Sequence, residues 1–417
     1  QQMKMISKNR LITVVLMAGL FTSALAQKMG TPTLIRVGDN AIDCKPSYAG
    51  PTIYDLDKDG LQDLIVGTFN GRFRFYKNTG SEKVPSFEGF SIIQAGGADA
   101  EIHNWCCTAV SPQFVDFNGD GNIDLLCASF AGYPFIFYGN NDGSFNEPVA
   151  LKDKSGNYIT LGYYWDYDLE KYKFVTLGNA EDKVDFVKAC DWDNDGDFDL
   201  LLTGSDYGVK LRINEGTKTH PVFGTENISV LPAHFADAII DWDGDGLWDI
   251  IGGSKNGGVY FYKNVGVLGA PKFGDAECIL EPDEFVDKIN GGKCGITQVA
   301  VADYNNDGKL DLVIGNNNII NKPMPESLTS DQIKERDLLQ KQYNENAKDR
   351  TAYIETLRII CKDDHEKMNE AINENLRIRG HEDYAKLVKE RGEIWPALTK
   401  LIPKRETHGY VWVSLRQ

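Results

Sequence analysis

Five short acidic loops carry the residue types that bind a metal ion. Each spans nine residues, with Asp or Asn at positions 1, 3 and 5, Gly at position 6 and Asp at position 9, and the loops begin at Asp55, Asp116, Asp191, Asp241 and Asp303. Calcium takes about six to eight hard oxygen ligands, and carboxylates at alternate positions before a glycine turn converge on one point. The sequence therefore predicts about five structural Ca²⁺ ions.

The predicted ligands lie at positions 1, 3, 5, 7 and 9 of each loop. They are Asp55, Asp57, Asp59, Leu61 and Asp63; Asp116, Asn118, Asp120, Asn122 and Asp124; Asp191, Asp193, Asp195, Asp197 and Asp199; Asp241, Asp243, Asp245, Leu247 and Asp249; and Asp303, Asn305, Asp307, Lys309 and Asp311. An EF-hand would need a Glu at position 12 and flanking helices, whereas strand-like runs such as Leu64–Val66 follow these loops. The loops are therefore predicted to connect strands.

The N-terminal segment has the layout of a signal peptide. Lys4, Lys8 and Arg10 precede an apolar run that ends in a small-residue cleavage site, Ala24-Leu25-Ala26. A membrane anchor is the alternative, but the run is short for a spanning helix. We predict that residues 1–26 are removed and that the protein is exported to the periplasm, the cell surface or the medium, with no membrane insertion after cleavage.

The charge of the chain limits its partners. Its 61 acidic and 44 basic residues give a formal net charge of −17, and such a surface repels polyanions. Nucleic acids and anionic membranes are therefore excluded as expected partners.

Eight cysteines in an exported chain make disulfides possible. Cys127 and Cys190 lie in apolar strand runs and are predicted to be buried free thiols. Cys278 and Cys294 flank one loop and could pair. Cys106-Cys107 is either an adjacent-residue disulfide or, on strand geometry, two thiols on opposite faces.

A regular order of elements separates the loops, which begin 50 to 75 residues apart. One strand enters each loop, a second leaves it, and a tight turn such as Asn70-Gly71 leads to an alternating third strand such as Phe73–Tyr76. A second pattern, N-x-G-x-x-x-x-P-x-F, recurs at Asn78–Phe87, Asn214–Phe223 and Asn264–Phe273 and leads into a fourth strand. Four short strands per repeat predict a mainly β fold, a β-propeller.

The chain termini are predicted to close the ring in one blade. The fifth repeat breaks after Asn316–Asn318, and its third strand appears only at Tyr410–Leu415. Thr33–Val37 has no blade of its own and can supply the fourth strand. This favours five blades over residues 27–324, with a closing strand in residues 406–417.

The acidic loops resemble the FG-GAP/VCBS repeats of integrin-alpha-type propellers and of many secreted bacterial proteins. The resemblance covers roughly residues 33–324 and the last strand. It implies that the acidic positions bind Ca²⁺ structurally, and it makes seven blades the alternative, because this repeat type often builds larger rings. Since such propellers include adhesion modules and polysaccharide lyases, the resemblance leaves the activity open.

Residues 325–405 are predicted to form an α-helical insertion in the last blade. Apolar residues such as Leu338, Tyr343 and Ile354 recur there at helical spacing, and glycine is rare. Ser330 is the expected N-cap. The charged faces are expected to be solvated and the apolar stripe to be packed.

The rim opposite the loops is predicted to carry the ligand site. The long and irregular connections fall on that rim, and loops on a rigid scaffold commonly bind ligands. We predict ligand contacts from His103, Trp105, Tyr133, Tyr163 and Trp165, whose aromatic rings suit a sugar or a peptide. The aromatic residues at position 2 of the loops are predicted to pack instead: Phe117, Trp192, Trp242 and Tyr304.

No established catalytic motif is evident in the sequence, and no catalytic residue is assigned. A binding module for glycan or protein ligands is the leading interpretation. The alternative is a polysaccharide lyase acting on an acidic polysaccharide, which would need a group that neutralises the uronate and a Tyr or His base.

Overall fold

The structure is a computed structural model that describes residues 28–102, 111–169, 171–174, 183–204, 208–232, 234–285, 293–322, 324, 327–361 and 382–417. The predicted signal peptide, His103, Trp105 and Cys106-Cys107 lie outside these residues.

The described chain is mainly β. Its strands are β1 (Thr33–Leu34), β2 (Arg36–Val37), β3 (Asn40–Ala41), β4 (Ala49–Tyr54), β5 (Asp63–Thr68), β6 (Phe73–Tyr76), β7 (Ser91–Ile92), β8 (Gln94–Ala95), β9 (Ala98–Asp99), β10 (Gln113–Val115), β11 (Asp124–Ala128), β12 (Pro134–Phe137), β13 (Val149–Ala150), β14 (Tyr163–Asp166), β15 (Lys171–Phe174), β16 (Phe186–Cys190), β17 (Asp199–Gly204), β18 (Gly208–Arg212), β19 (Ile228–Leu231), β20 (Ala238–Ile240), β21 (Asp249–Gly252), β22 (Val259–Tyr262), β23 (Glu277–Leu280), β24 (Lys293–Ala302), β25 (Asp311–Asn321), β26 (Arg405–His408) and β27 (Val411–Ser414). Its helices are a 3₁₀ turn (Pro282–Phe285), α1 (Ser330–Cys361) and α2 (Glu382–Leu398).

Five antiparallel sheets form the blades of a propeller. Blades 1 to 4 have the strand orders β4-β5-β6-β7, β10-β11-β12-β13, β16-β17-β18-β19 and β20-β21-β22-β23. Blade 5 has the order β24-β25-β27-β1, and β26 extends it by pairing with β25. The prediction of five blades is confirmed, and seven blades is excluded for the described chain.

The two ends of the chain close the ring in blade 5. Thr33 pairs with Val413 and Leu34 with Trp412, both antiparallel. The Ile35 N–H extends this pairing by donating to the Val411 carbonyl at 2.8 Å. The predicted closure is confirmed for this part of the segment, whereas β2 turns away and pairs with β3.

The first strands of the blades lie nearest the ring axis. β10 contacts β16, β16 contacts β20, β20 contacts β24 and β24 contacts β4. Backbones approach closely here: a Cβ on Gly315 would lie 1.9 Å from the Ala49 carbonyl oxygen. Only glycine fits at this junction of blades 5 and 1.

Ring contacts at the loop rim join neighbouring blades at four of the five junctions. Position 2 of one loop meets the last aromatic residue of the N-x-G-x-x-x-x-P-x-F hairpin in the following blade. The ring-centroid distances are 6.1 Å for Phe117–Phe223, 6.0 Å for Trp192–Phe273 and 6.4 Å for Tyr304–Phe87. Between blades 4 and 5, the Arg416 guanidinium lies 4.7 Å from the Trp242 ring. The predicted packing role of these position-2 residues is confirmed.

Between β25 and β26 the described residues include the two helices α1 and α2. Thr329 caps α1 reciprocally with Gln332, because the Thr329 N–H donates to the Gln332 side chain at 2.9 Å and the Gln332 N–H donates to the Thr329 hydroxyl at 3.3 Å. The N-cap is therefore Thr329 and not Ser330, because Ser330 is already helical. Tyr343 packs on Trp395 of α2. No helix in the described ranges is long and apolar enough to cross a membrane.

Cys127 and Cys190 are buried free thiols, as predicted. Cys278 is also free, so the pairing with Cys294 that the sequence left open is wrong. Cys278 lies in β23, the outermost strand of blade 4, whereas Cys294 lies in β24, the innermost strand of blade 5.

Candidate metal centres

Each acidic loop is coiled around its first carboxylate. In the first loop the Asp55 carboxylate accepts N–H bonds from Asp59 and Gly60, both at 3.0 Å. Gly60 has φ +91°, which side-chain-bearing residues rarely adopt. The same bond from the position-6 glycine to the position-1 carboxylate occurs in the other four loops. The turn therefore fixes the position-1 carboxylate of each loop against the backbone of position 6.

The Asp at position 9 ties each loop to the sheet. Asp63 is fully buried, and its two oxygens accept the Leu56 N–H at 3.1 Å and the Asn78 N–H at 2.8 Å. Burial raises the pKa of this carboxyl and of its four equivalents, and it raises that of Asp199 to about 7. Position 9 thus links its loop to the end of the third strand.

Carboxylate oxygens converge in three of the loops. Three of them lie within 4.8 Å of one another in each of the groups Asp55–Asp57–Asp63, Asp191–Asp193–Asp195 and Asp241–Asp243–Asp249. The second and fifth loops carry Asn at position 3, Asn118 and Asn305, and therefore offer an amide oxygen in place of one carboxylate.

The donor set fits a hard divalent cation. Buried Oδ1 atoms of Asp116, Asp191 and Asp197 have no hydrogen-bond partner within the described part of the chain. A buried carboxylate oxygen without a partner is unfavourable unless a cation compensates it. Because the side-chain donors are all oxygens, calcium suits the loops better than a soft metal.

Two loops already contain an ammonium group. Lys77 contacts the Asp57 carboxylate and lies 2.7 Å from Asp59, and Lys263 contacts the Asp243 carboxylate and lies 2.8 Å from Asp245. These hydrogen bonds raise the pKa of both lysines. Each of these lysines directly precedes the residue whose N–H donates to the position-9 carboxylate of its loop. In the other three loops the residue at this place is Tyr138, Ile213 or Leu415.

The predicted ligand side chains are thus brought together at positions 1, 3 and 9 of the first and fourth loops and at positions 1, 3 and 5 of the third loop. The N–H groups of the position-7 residues, Leu61, Asn122, Asp197, Leu247 and Lys309, donate to the position-5 carboxylate. Metal ligation by position 7 stays a prediction.

Three of the residues predicted to contact a ligand are described, and they lie on the opposite rim. The Trp165 N–H donates to the Ala131 carbonyl at 2.6 Å, next to the turn between the second and third strands of blade 2. Tyr163 lies in the same strand, β14, and pairs with Phe174. Tyr133, in contrast, is a core residue: it is 2% exposed and stacks on Tyr158 at 4.4 Å. Ligand binding by Tyr163 and Trp165 stays a prediction.

Tyr48 lies on this opposite rim in a group of side chains that the sequence analysis did not predict, and we call this group the axial cluster. We define it as Tyr48, Phe69, Phe130, Lys183, Asp185, Lys255 and Asn317. Tyr48 directly precedes the first strand of blade 1; its ring lies 5.4 Å from that of Phe69 and 6.2 Å from that of Phe130. Burial raises the pKa of the Tyr48 phenol, which the Asn317 side chain and the charges of Asp185 and Lys255 also affect.

The charged members of the axial cluster are arranged around the aromatic ones. The Lys183 ammonium lies 3.9 Å from the centroid of the Phe130 ring and 3.4 Å from the Asp185 carboxylate. Asp185 is fully buried, whereas Lys255 is exposed. A sequence signal exists for part of the cluster, because Phe69, Phe130 and Lys255 each follow a buried Thr or Ser at the end of a second strand or just beyond it.

The strand order and the loops define a class: a five-bladed β-propeller with an acidic loop between the first two strands of each blade. Residues 241–314, which include the fourth and fifth loops, match the family model of the FG-GAP-like repeat. Residues 241–314 therefore carry an FG-GAP-like repeat within a five-bladed propeller. A search of curated proteins finds no match to the chain.

Solved structures resemble the fold only distantly. The catalytic domain of a GH62 alpha-L-arabinofuranosidase from Coprinopsis cinerea aligns with 73% of this chain and 93% of its own, at 11% identity and a TM-score of 0.43. The alpha-L-arabinofuranosidase PaAbf62A from Podospora anserina, in complex with cellotriose, aligns with 70% of this chain and 91% of its own, at 13% identity and a TM-score of 0.42. Neither likeness bears on the activity of this chain.

Proposed function

We propose that the protein is an exported, calcium-stabilised propeller that binds a glycan or protein ligand on the rim opposite the acidic loops. One observation carries the proposal: the loops all connect first to second strands and so share one rim, while long connections and the axial cluster lie on the other. The protein thus divides structural and recognition roles between its two rims.

Support for calcium comes from the composition and geometry of the loops. Converging carboxylates without a cation repel one another, and partnerless buried oxygens add to that cost. Bound calcium would compensate both and would hold the loop rim of every blade in place.

Support for ligand binding comes from the axial cluster. Half-buried aromatic side chains beside charged and amide groups are typical of binding sites. A propeller scaffold fixes these groups on rigid strands and short turns, which reduces the entropy lost on binding.

The test uses the mature protein, loaded with calcium, on arrays of glycans and of extracellular proteins. We expect specific binding to at least one ligand, and we expect variants of the axial cluster to weaken it while variants of the loops affect stability first. Failure to bind any member of both arrays would overturn the binding role.

The same preparation tests the lyase alternative. Acidic polysaccharides are incubated with the protein, and new carbon–carbon double bonds are followed by ultraviolet absorbance. Product formation would replace the binding role by a catalytic one. Calorimetry with calcium on the chelated protein tests the loops, and a stoichiometry near zero would overturn the structural role of calcium.

A further inference from the structure

We propose that the hairpin of blade 4 is a docking surface for a segment of a partner protein that carries an apolar side chain beside lysines or arginines. This hairpin spans Asn264–Phe273 on the loop rim, where Phe273 packs on Trp192 of blade 3, and we call it the apolar hairpin. The inference goes beyond the proposed function, because the ligand site proposed above lies on the opposite rim.

The three hairpins with the pattern N-x-G-x-x-x-x-P-x-F have the same backbone hydrogen bonds. In each, the residues at positions 4 and 7 exchange two N–H to carbonyl bonds of 3.0 to 3.3 Å. The pairs are Ser81–Val84 in blade 1, Thr217–His220 in blade 3 and Val267–Ala270 in blade 4. The backbone of the hairpin therefore forms with different side chains at its tip.

The side chains at positions 2, 4 and 5 distinguish the apolar hairpin from the other two. Blade 1 has Thr79, Ser81 and Glu82 there, blade 3 has Glu215, Thr217 and Lys218, and blade 4 has Val265, Val267 and Leu268.

The three apolar side chains in blade 4 are 56%, 63% and 60% exposed, respectively. Because the equivalent hairpins fold with polar residues at these positions, folding does not account for the apolar ones. Contiguous exposed apolar side chains with a polar border are typical of interaction surfaces.

A shallow cleft beside the apolar hairpin can accept a side chain of the partner. Val267 and Leu268 line it together with Trp248, the eighth residue of the fourth loop, and the cleft extends to Trp192 and Pro271. Aromatic and aliphatic walls suit an apolar side chain, and a few side chains buried in this way provide most of the affinity of a protein contact.

Acidic loops border the cleft. Asp191 lines it, and the hairpin touches the third loop, because a Cβ on Gly269 would lie 2.7 Å from the Asp193 carbonyl oxygen. The third loop carries five Asp residues, so one divalent cation leaves it negatively charged, and the exposed Lys272 of the hairpin offsets only part of the remainder. Lysines or arginines beside the apolar side chain of the partner complement this charge.

The same border disfavours two other occupants of the apolar hairpin. A second copy of the chain, docked through the same face, would bring two acidic loops together, and an anionic bilayer would be repelled. A basic segment of another protein is favoured by both the cleft and its border.

The test measures binding of labelled peptides to the mature protein by fluorescence anisotropy at constant calcium. Each peptide carries one Leu, Phe or Trp between lysines and arginines, and its counterpart has glutamates in place of the basic residues. We expect at least one basic peptide to bind and its counterpart to bind about tenfold more weakly, because the charge complementarity is lost. Sodium chloride should weaken the binding of the basic peptide, because it screens exposed charges.

A double variant assigns that binding to the apolar hairpin. Val267→Thr with Leu268→Gln removes the apolar contact and leaves the charge unchanged, and Thr217 shows that this hairpin accepts Thr at position 4. We expect a Tm close to that of the parent and binding that is weaker by about tenfold or more, since the apolar contact is lost. The matched control is Val84→Thr, at a 70% exposed position of the blade 1 hairpin, which should bind like the parent.

Equal binding of the basic and glutamate peptides, unchanged binding by the double variant, or no binding of any peptide would each overturn the inference. A double variant that melts far below the parent would overturn it too, because Val267 and Leu268 would then be structural. Self-association in sedimentation velocity, or binding to phosphatidylcholine vesicles, that only the double variant abolishes would replace the protein partner by a second copy or a lipid surface. None of these results bears on the ligand site proposed for the opposite rim.

Discussion

The two rims of the propeller differ in how far the residues at equivalent positions repeat from blade to blade. On the loop rim every blade has the same acidic loop and the same buried Asp at position 9, and three of the blades make the same aromatic contact to the next blade. Toward the opposite rim, the place six residues after the position-9 Asp holds Phe69, Phe130, Lys255 and Asn317 in different blades.

This difference distinguishes the residues that stabilise the fold from the residues that vary between blades at its surface. A position with the same packing environment in each blade holds the same residue type, because the local geometry is the same. A position that is free to vary around the axis can instead build one asymmetric surface. This contrast supports the proposed division, with stability provided by the loop rim and recognition by the axial cluster, and the predictions below test that division.

The largest expected effect is loss of stability when calcium is removed. A ligand that binds only the folded state at 100 times its Kd adds about 2.7 kcal/mol per site to the free energy of unfolding, and several loops contribute. We expect excess chelator to lower the Tm strongly, as measured by circular dichroism, and calcium to restore it.

The control is magnesium, which demands stricter octahedral geometry and should restore less stability. Asp195→Ala, which alters one loop, should lower the Tm by only part of the chelator effect. An unchanged Tm in chelated protein, with metal removal verified by elemental analysis, would contradict the structural role of the loops.

The repeated features were predictable from sequence because they are local. Five acidic loops, their strands and the pairing of Thr33 with the C-terminal strand follow from patterns within each repeat. The burial of Tyr133 was not predictable, because its partner Tyr158 comes from a long connection whose path no local pattern indicates. The axial cluster was missed for a similar reason, since the turns of several blades meet there only after the ring closes.

The next largest effect is expected at the contacts between blades. Phe223 is 3% exposed and packs on Phe117 of the preceding blade. Replacing a buried Phe by Ala typically costs about 3–5 kcal/mol, so Phe223→Ala should lower the free energy of unfolding by this amount in urea titrations. Val222→Ala, at the exposed neighbouring position, is the control and should change it little. Similar stabilities of the two variants would show that the hairpin contact does not join the blades.

A third effect is expected near the opposite rim and depends on pH. Asp237 is buried between blades 4 and 5, where its carboxylate accepts the Gly253 N–H at 2.8 Å and the Val299 N–H at 3.2 Å. Burial raises its pKa to about 7, and the nearby Lys188 opposes this shift. Because the unfolded-state pKa is near 4, the stability from this group is complete below about pH 4 and is lost as the pH rises through about 7.

Asp237→Asn removes this titration and keeps an oxygen that can accept both N–H bonds. We expect the stability of the parent relative to Asp237→Asn to fall between pH 5 and pH 7, measured by urea unfolding at constant calcium. A difference that does not change with pH would show that Asp237 titrates normally despite its burial.

The smallest expected effect distinguishes loops within the loop rim. Lys77 and Lys263 each place an ammonium between the carboxylates of positions 3 and 5, and calcium must displace that group to bind there. The double variant Lys77→Met and Lys263→Met should therefore bind calcium severalfold more tightly at two of the sites, as resolved by calorimetry on chelated protein. The matched control replaces Lys83 and Lys272, exposed lysines in the hairpins of the same two blades, by Met and changes the net charge equally. If both double variants gain the same affinity, the effect is long-range electrostatics, and the two lysines do not distinguish their loops from the other three.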